Sequence, residues 1–185
     1  MKTLQFQAIS TEQSQIQQYP KTLQFSNTYK GAGCQICEGG KVVECSSVWY
    51  YCLCEQAIPK TGKIVFAFQM ISGSSFMVGI GFRDIIQKNN YSGNCGVGSY
   101  LIQNNGYTYS HHNKDVNNKQ LSFTYTTNDV IIMEVSIEHK YIKWTRQNNP
   151  LATVQLEIDT SISQELYPCV NIYSSKVKIL DNIPN

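Results

Sequence analysis

The chain has 185 residues, 42% hydrophobic and 15% charged, with a formal net charge of +2. That length supplies one sizeable core and leaves too little for a second, so a single domain is expected. The small net charge comes without any basic run, which leaves nucleic acid nothing to hold and excludes it as the expected partner.

Residues 1–20, MKTLQFQAISTEQSQIQQYP, are rich in Gln and Ser and lack the apolar run and cleavage site of a signal peptide. No apolar run approaches membrane-spanning length. The expectation is a cytoplasmic protein with no membrane partner. Seven cysteines, an odd number without a secretion signal, then argue for free thiols rather than a disulfide framework. The sequon Asn90-Tyr91-Ser92 is read as chance for the same reason.

Phe6, Ile9 and Ile16 give residues 1–20 only a weak helical stripe, with Ser10 or Thr11 as its cap, so this stretch reads as an extension or linker. From residue 21 onward short strands and turns alternate. Strands are predicted over residues 22–26, 34–37, 41–45, 48–54 and 63–70. In the last, Ile64, Phe66, Phe68 and Met70 share one face. In residues 75–82, Phe76, Val78, Ile80 and Phe82 share a face, and Gly79 and Gly81 lie opposite, which predicts close approach of something across that side. A polar loop, 83–96, follows.

Strands 99–103 and 107–111 flank Asn104-Asn105-Gly106, a hairpin turn because Asn and Gly accept positive φ. A second polar loop, 112–119, leads to a strand at 121–126. Asn128-Asp129 then turns the chain into a hairpin, strands 130–137 and 141–146. Ile131, Met133, Val135 and Ile137 fall on one face of the first arm, and Ile142 and Trp144 on one face of the second. Strands 154–158, 167–173 and 176–180 complete the series. No segment after residue 20 shows a helical period, and this many short strands predict an all-β, two-sheet antiparallel sandwich.

Several phrases, taken in order, resemble the SPRY domain, a sandwich of the concanavalin A-like kind. They are Gly62-Lys63-Ile64-Val65-Phe66-Ala67-Phe68, Val78-Gly79-Ile80-Gly81-Phe82, the run from Gly98 to Gly106, the hairpin from Asn128 to Trp144, and Leu166-Tyr167-Pro168-Cys169-Val170. The resemblance covers residues 22–181. It departs from the family in its Asn-Asp rather than Gly-Asp turn and in lacking the Phe-Trp-x-Asn-Gly ending, and no PRY segment is recognisable. The resemblance implies a SPRY-like domain over residues 21–185 that acts as a protein-interaction module, an adaptor or recognition part binding a peptide or protein surface.

In SPRY domains loops at one end of the sandwich form a shallow platform. The corresponding loops here are 83–96, 111–119, 145–150 and 173–175. The candidate partner-binding residues are Arg83, Asp84, Tyr91, His111, His112, Tyr173 and Ser174. One branch of the family reads an Asn-rich peptide with an aromatic residue just after its Tyr-Pro-x-Val strand; Tyr173-Ser174 stands there in this chain, and that specificity is not carried over. The alternatives are a carbohydrate-binding lectin on the same architecture and a structural subunit whose sheet face is covered. The oligomeric state stays open.

No cofactor or metal is expected, and no catalysis. Cys34-x-x-Cys37 with Cys45 and Cys52-x-Cys54 imitates a zinc site, but Cys34 and Cys37 fall on opposite faces of a strand and the second spacing is too short. Buried thiols packing as small apolar residues are expected instead. Glu134 and Glu138 have the outline of a glycosidase pair, yet four residues of strand place them about 13 Å apart, beyond the roughly 5 to 9.5 Å that such pairs need. His111 and His112 point oppositely on a strand and do not share a metal.

Overall fold

The structure, a computed structural model, describes residues 16–18, 22–93 and 95–183. In chain order the elements are β1 (Ile16–Gln18), β2 (Phe25–Lys30), β3 (Cys34–Cys37), β4 (Val42–Cys45), β5 (Tyr50–Cys54), β6 (Lys63–Ser72), β7 (Ser75–Phe82), α1 (Arg83–Lys88), β8 (Ser99–Gln103), β9 (Tyr107–Tyr109), β10 (Lys119–Gln120), β11 (Val130–Ser136), β12 (Tyr141–Arg146), β13 (Asn149–Glu157), β14 (Leu166–Tyr173) and β15 (Ser175–Ile179). The first sheet runs β13-β12-β11-β6-β15-β4-β3 and the second β10-β9-β8-β7-β14-β5-β2. All pairings are antiparallel except that of β1, which lies parallel to residues 63–65 of β6 on the edge that β15 leaves uncovered. The weak helical stripe expected over residues 6–16 lies almost wholly outside the described residues.

The alternation in sequence becomes the core. Ile64, Phe66, Phe68 and Met70 of β6, Ile131, Met133 and Val135 of β11, and Phe76, Val78, Ile80 and Phe82 of β7 are all buried between the sheets. Trp144 of β12 is fully buried, and its indole N–H donates to Val78 O at 3.0 Å, one hydrogen bond spanning both sheets. Residues 121–126 are not a strand. That segment crosses the β8–β9 hairpin and drops Tyr125 into the core, where its hydroxyl donates to Ile102 O at 2.8 Å.

The outer faces differ. That of the first sheet is polar, with the cross-strand ion pairs Lys143–Glu134 at 3.3 Å and Lys176–Glu44 at 2.9 Å. The second sheet is apolar on both faces. Tyr51, Leu53, Met77, Leu101 and Cys169 form a second cluster on its outside, capped by Ile86 of α1. The short helix corrects the expectation of an unbroken polar loop at 83–96. Its six residues are too few to show a period, although Asp84 in its first turn and Lys88 in its last suit the helix dipole. Here the glycine pattern finds its cause: a Cβ on Gly81 would run into Ile86 Cδ1, and one on Gly79 into Tyr100 O of the neighbouring strand.

The cysteine reading needs a correction. Cys34 and Cys45 face each other across β3 and β4 and are joined by a disulfide. Their separation in sequence hid a register that puts them directly opposite. Cys37 is exposed, Cys95 is half-buried, and Cys52, Cys54 and Cys169 are buried thiols whose pKa values burial raises.

Candidate functional site

Connections between the two sheets define two unlike ends. At one, residues 31–33, 46–49, 73–74 and 174 each cross from sheet to sheet in one to four residues, and residues 121–129 cross in nine. We call this the pinched end. At the other, residues 55–62 and 158–165 cross with eight residues each, and this is the open end. Eight-residue β7 runs between them, roughly 23 Å of strand.

The candidate residues divide between these ends. Tyr173 and Ser174 close β14 at the pinched end, opposite Ser75. Arg83 and Asp84 follow Phe82 at the open end, as do His111 and His112. Tyr91 is half-buried in the outer cluster of the second sheet, and its carbonyl accepts from Tyr51 N–H at 2.7 Å. Loops 145–150 and 173–175 lie at the pinched end, whereas Arg83 and His111 do not. The single platform expected from the sequence is therefore not one surface.

Arg83 is occupied internally. Its guanidinium lies 3.7 Å from the Tyr29 ring centre and 3.5 Å from that of Tyr167, and Nη2 donates to Cys54 O at 2.8 Å. A planar cation between two aromatic faces is a structural clamp, joining β2, β14 and the start of α1. Asp84 is exposed on α1.

Each histidine has its own hydrogen-bond partner. His111 Nδ1 accepts from Gly98 N–H at 2.9 Å, and its ring packs edge-on against Phe82. An accepting Nδ1 requires the neutral ring, and burial lowers the pKa of His111 below the ordinary histidine range. His112 Nδ1 lies 3.0 Å from Tyr100 Oη, which accepts from Asp159 N–H at 2.9 Å. Burial pushes the Tyr100 hydroxyl up to about 12.

At the pinched end the Tyr173 ring lies tilted at 40° against that of Trp49, ring centres 5.9 Å apart, and Trp49 packs in turn on the outer cluster of the second sheet. Tyr173 is 38% exposed and Val48 46% exposed. The corner beneath is fixed: Ser174 N–H donates to Ser46 O at 2.9 Å, and Ser175 Oγ donates to Tyr173 O at 2.7 Å. Ser174 has a φ of +43°, and the corner abuts Gly73, where a Cβ would collide with Ser175 Oγ. Alongside, the buried Asp129 carboxylate accepts from Thr126 N–H at 2.8 Å, Arg146 Nη2 at 3.0 Å and Asn148 Nδ2 at 3.1 Å. Val48 and Trp49 were missed as site residues because they read as the start of a strand; β5 begins at Tyr50. The preceding Ser46-Ser47 was the available signal.

The remaining chemistry is engaged elsewhere. Glu134 accepts from Tyr141 Oη at 2.5 Å and pairs with Lys143; despite burial, these partners lower its pKa. Glu138 accepts from Gly62 N–H at 3.0 Å. Among the described residues no three His, Cys, Asp or Glu side chains converge as a metal site, and no helix is long and apolar enough to cross a membrane.

No protein-family model matches the chain, and no curated protein matches it in sequence. Solved structures do match. The SPRY domain of human HERC1 superimposes with a TM-score of 0.69 at 19% identity, covering 87% of this chain and 99% of that one. The TRIM65 PSpry domain gives 0.67 at 9% identity, over 90% and 94% of the two chains. Stonustoxin gives 0.67 at 11% identity, over 89% of this chain and 27% of its own. With two antiparallel sheets in this order and these neighbours, the chain has the SPRY fold, a SPRY-like β-sandwich.

Proposed function

We propose that the domain is a non-catalytic protein-interaction module that binds a peptide or protein surface at its pinched end, through Val48, Trp49, Tyr173 and Ser174. The observation that carries this reading is the exposed Tyr173 ring, tilted against a Trp49 that is itself part-buried on the outer cluster of the second sheet, on a corner fixed by backbone hydrogen bonds. Large amphipathic rings held in place before binding contribute contact area at small entropic cost, and they dominate interface energies. The SPRY fold supports the same class of role, an adaptor or recognition part of a larger protein or complex. The covered-face alternative has less support, since the outer face of the first sheet carries ion pairs rather than an apolar patch.

The test is affinity capture from the source lysate with three baits: the native chain, a Trp49→Ala/Tyr173→Ala variant and a Lys60→Ala variant at the open end. A protein retained by the first and third and lost by the second supports the placement. Equal recovery on all three refutes it.

A further inference from the structure

The corner that carries Val48, Trp49 and Tyr173 is held from behind by the disulfide. Cys34 and Cys45 form the last rung of the β3–β4 hairpin at the pinched end, and just beyond them both chain segments leave the first sheet. Residues 31–33 arrive from β2 at Cys34, and residues 46–49 depart for β5 from Cys45. Two of the short crossings are therefore joined covalently at their feet. β3 is a four-residue strand that ends the first sheet beside β4. A short edge hairpin held by hydrogen bonds alone opens readily, and a cross-link at its end opposes that opening.

Two paths of contact run from this bond to the aromatic pair. In one, Ser46 N–H, next to Cys45, donates to Gly33 O at 3.1 Å, and Ser46 O accepts from Ser174 N–H at 2.9 Å, beside Tyr173. Ser175 lies opposite Cys45 in the β15–β4 ladder, so the same rung also meets the strand that follows Tyr173. In the other, crossing 31–33 lies against the ring of Tyr50, the residue after Trp49: a Cβ on Gly31 or Gly33 would run into that ring. The clasped crossing thus backs Tyr50, and the neighbouring Trp49 ring meets Tyr173. Cys37, Cys52, Cys54, Cys95 and Cys169 carry free thiols, so a reductant has this one S–S bond to cleave.

We propose that the Cys34–Cys45 disulfide is a redox-sensitive clasp on the binding corner: closed, it holds Trp49 and Tyr173 in the arrangement that meets a partner, and opened, it releases them. Opening takes two electrons and two protons from a dithiol, which leaves as its own disulfide, and converts the S–S bond into two thiols. The gating of binding rests on the pinched-end site proposed for this domain; the mechanical coupling of clasp to corner does not.

The test is amide hydrogen exchange by NMR on the whole chain, oxidised and then treated with dithiothreitol, with mass spectrometry after alkylation to count opened bonds. Reduction should speed exchange at Ser46 and Ser174 about tenfold. Asn128, whose N–H donates to Met70 O at the same end of the sandwich, should stay within about twofold. Cys34→Ala/Cys45→Ala should show the reduced pattern with or without dithiothreitol. A bond that resists the dithiol in the folded chain overturns the proposal, as does unchanged exchange at Ser46 and Ser174. So does an equal rise at every amide, which would make the bond a staple of the whole fold. These native-chain measurements decide the matter even if the cysteine variant fails to fold. Affinity capture supplies the second arm: a protein lost by the Trp49→Ala/Tyr173→Ala bait should be recovered about tenfold less by the cysteine variant than by the oxidised native chain, and equal recovery overturns the gating. The two failures look different. Recovery indifferent to Trp49 and Tyr173 refutes the pinched-end site and the gating with it, whereas loss of the exchange effect alone refutes the clasp and leaves that site standing.

Discussion

The two ends of the sandwich are both made of strand connections, yet one is a closed, stiff corner and the other a roofed hollow. At the pinched end four crossings of one to four residues pull the sheets together and a fifth, residues 121–129, fills the space it spans with Tyr125, so Trp49 and Tyr173 meet outside the core. At the open end two crossings of eight residues have slack, and slack between sheets packed about 10 Å apart becomes volume. Loop length sets the slack, and what the loop inserts decides whether the slack stays open: residues 121–129 fill theirs with Tyr125.

The comparison breaks most sharply at Asp129, which ties its own turn to the β12–β13 turn at the pinched end. Asp129→Ala should cost about 2–3 kcal/mol in denaturant unfolding, because it strands the Arg146 guanidinium, at the low end for such pairs since Arg146 is in part solvated. Asp129→Asn, which keeps one acceptor, should cost less. A loss under 0.5 kcal/mol would show that the corner is not organised by this carboxylate.

Next in size is the aromatic pair. Tyr173→Ala should weaken partner binding at least tenfold while moving unfolding free energy by no more than about 0.5 kcal/mol, the pattern of an exposed anchor. A stability loss equal to the binding loss would make the ring a packing residue instead.

Arg83 tests whether the open end shares in binding. Arg83→Met should destabilise by about 1–2 kcal/mol through loss of two ring contacts and its bonds to the 54–55 carbonyls, and Arg83→Lys should not restore them because the ammonium is not planar. Partner capture should survive both changes. Capture lost without destabilisation would return Arg83 to the binding surface.

The smallest expected effect is the pH response of His111. Its folded-state pKa lies below the unfolded value near 6.5, so the unfolded chain takes up a proton first. Stability from this group is complete above that pH and is lost as pH falls through the window beneath it. His111→Gln should flatten that slope, seen as a smaller difference in melting temperature between pH 7 and pH 5.5. An unchanged slope would assign it to another group.

Much of this could be read beforehand. Alternation in residues 63–70, 75–82 and 130–137 named the inner faces, since side chains on a strand can only point two ways. Gly81 announced the covering of the outer face, although not that a helix does it, whereas Gly79 marks close approach of the neighbouring strand. Local pattern failed where contacts between distant segments decide: a six-residue helix has no visible period, and Leu121, Phe123 and Tyr125 alternate like a strand while pairing with none. Cys34 and Cys45 became partners only through the register of a hairpin.

The site was less legible than the fold for the same reason. By itself the sequence determined the fold class, the inner faces, the central Trp144 and the presence of Tyr173 after a Tyr-Pro-x-Val strand, all consequences of short-range periodicity and turn chemistry. Tertiary structure alone decided which loops share an end, that Trp49 reaches Tyr173, that Arg83 is spent between Tyr29 and Tyr167, and that a hollow lies beneath residues 158–165. Those facts depend on which strands become neighbours and in what register, and that is settled by burying both faces of one sheet and only one face of the other.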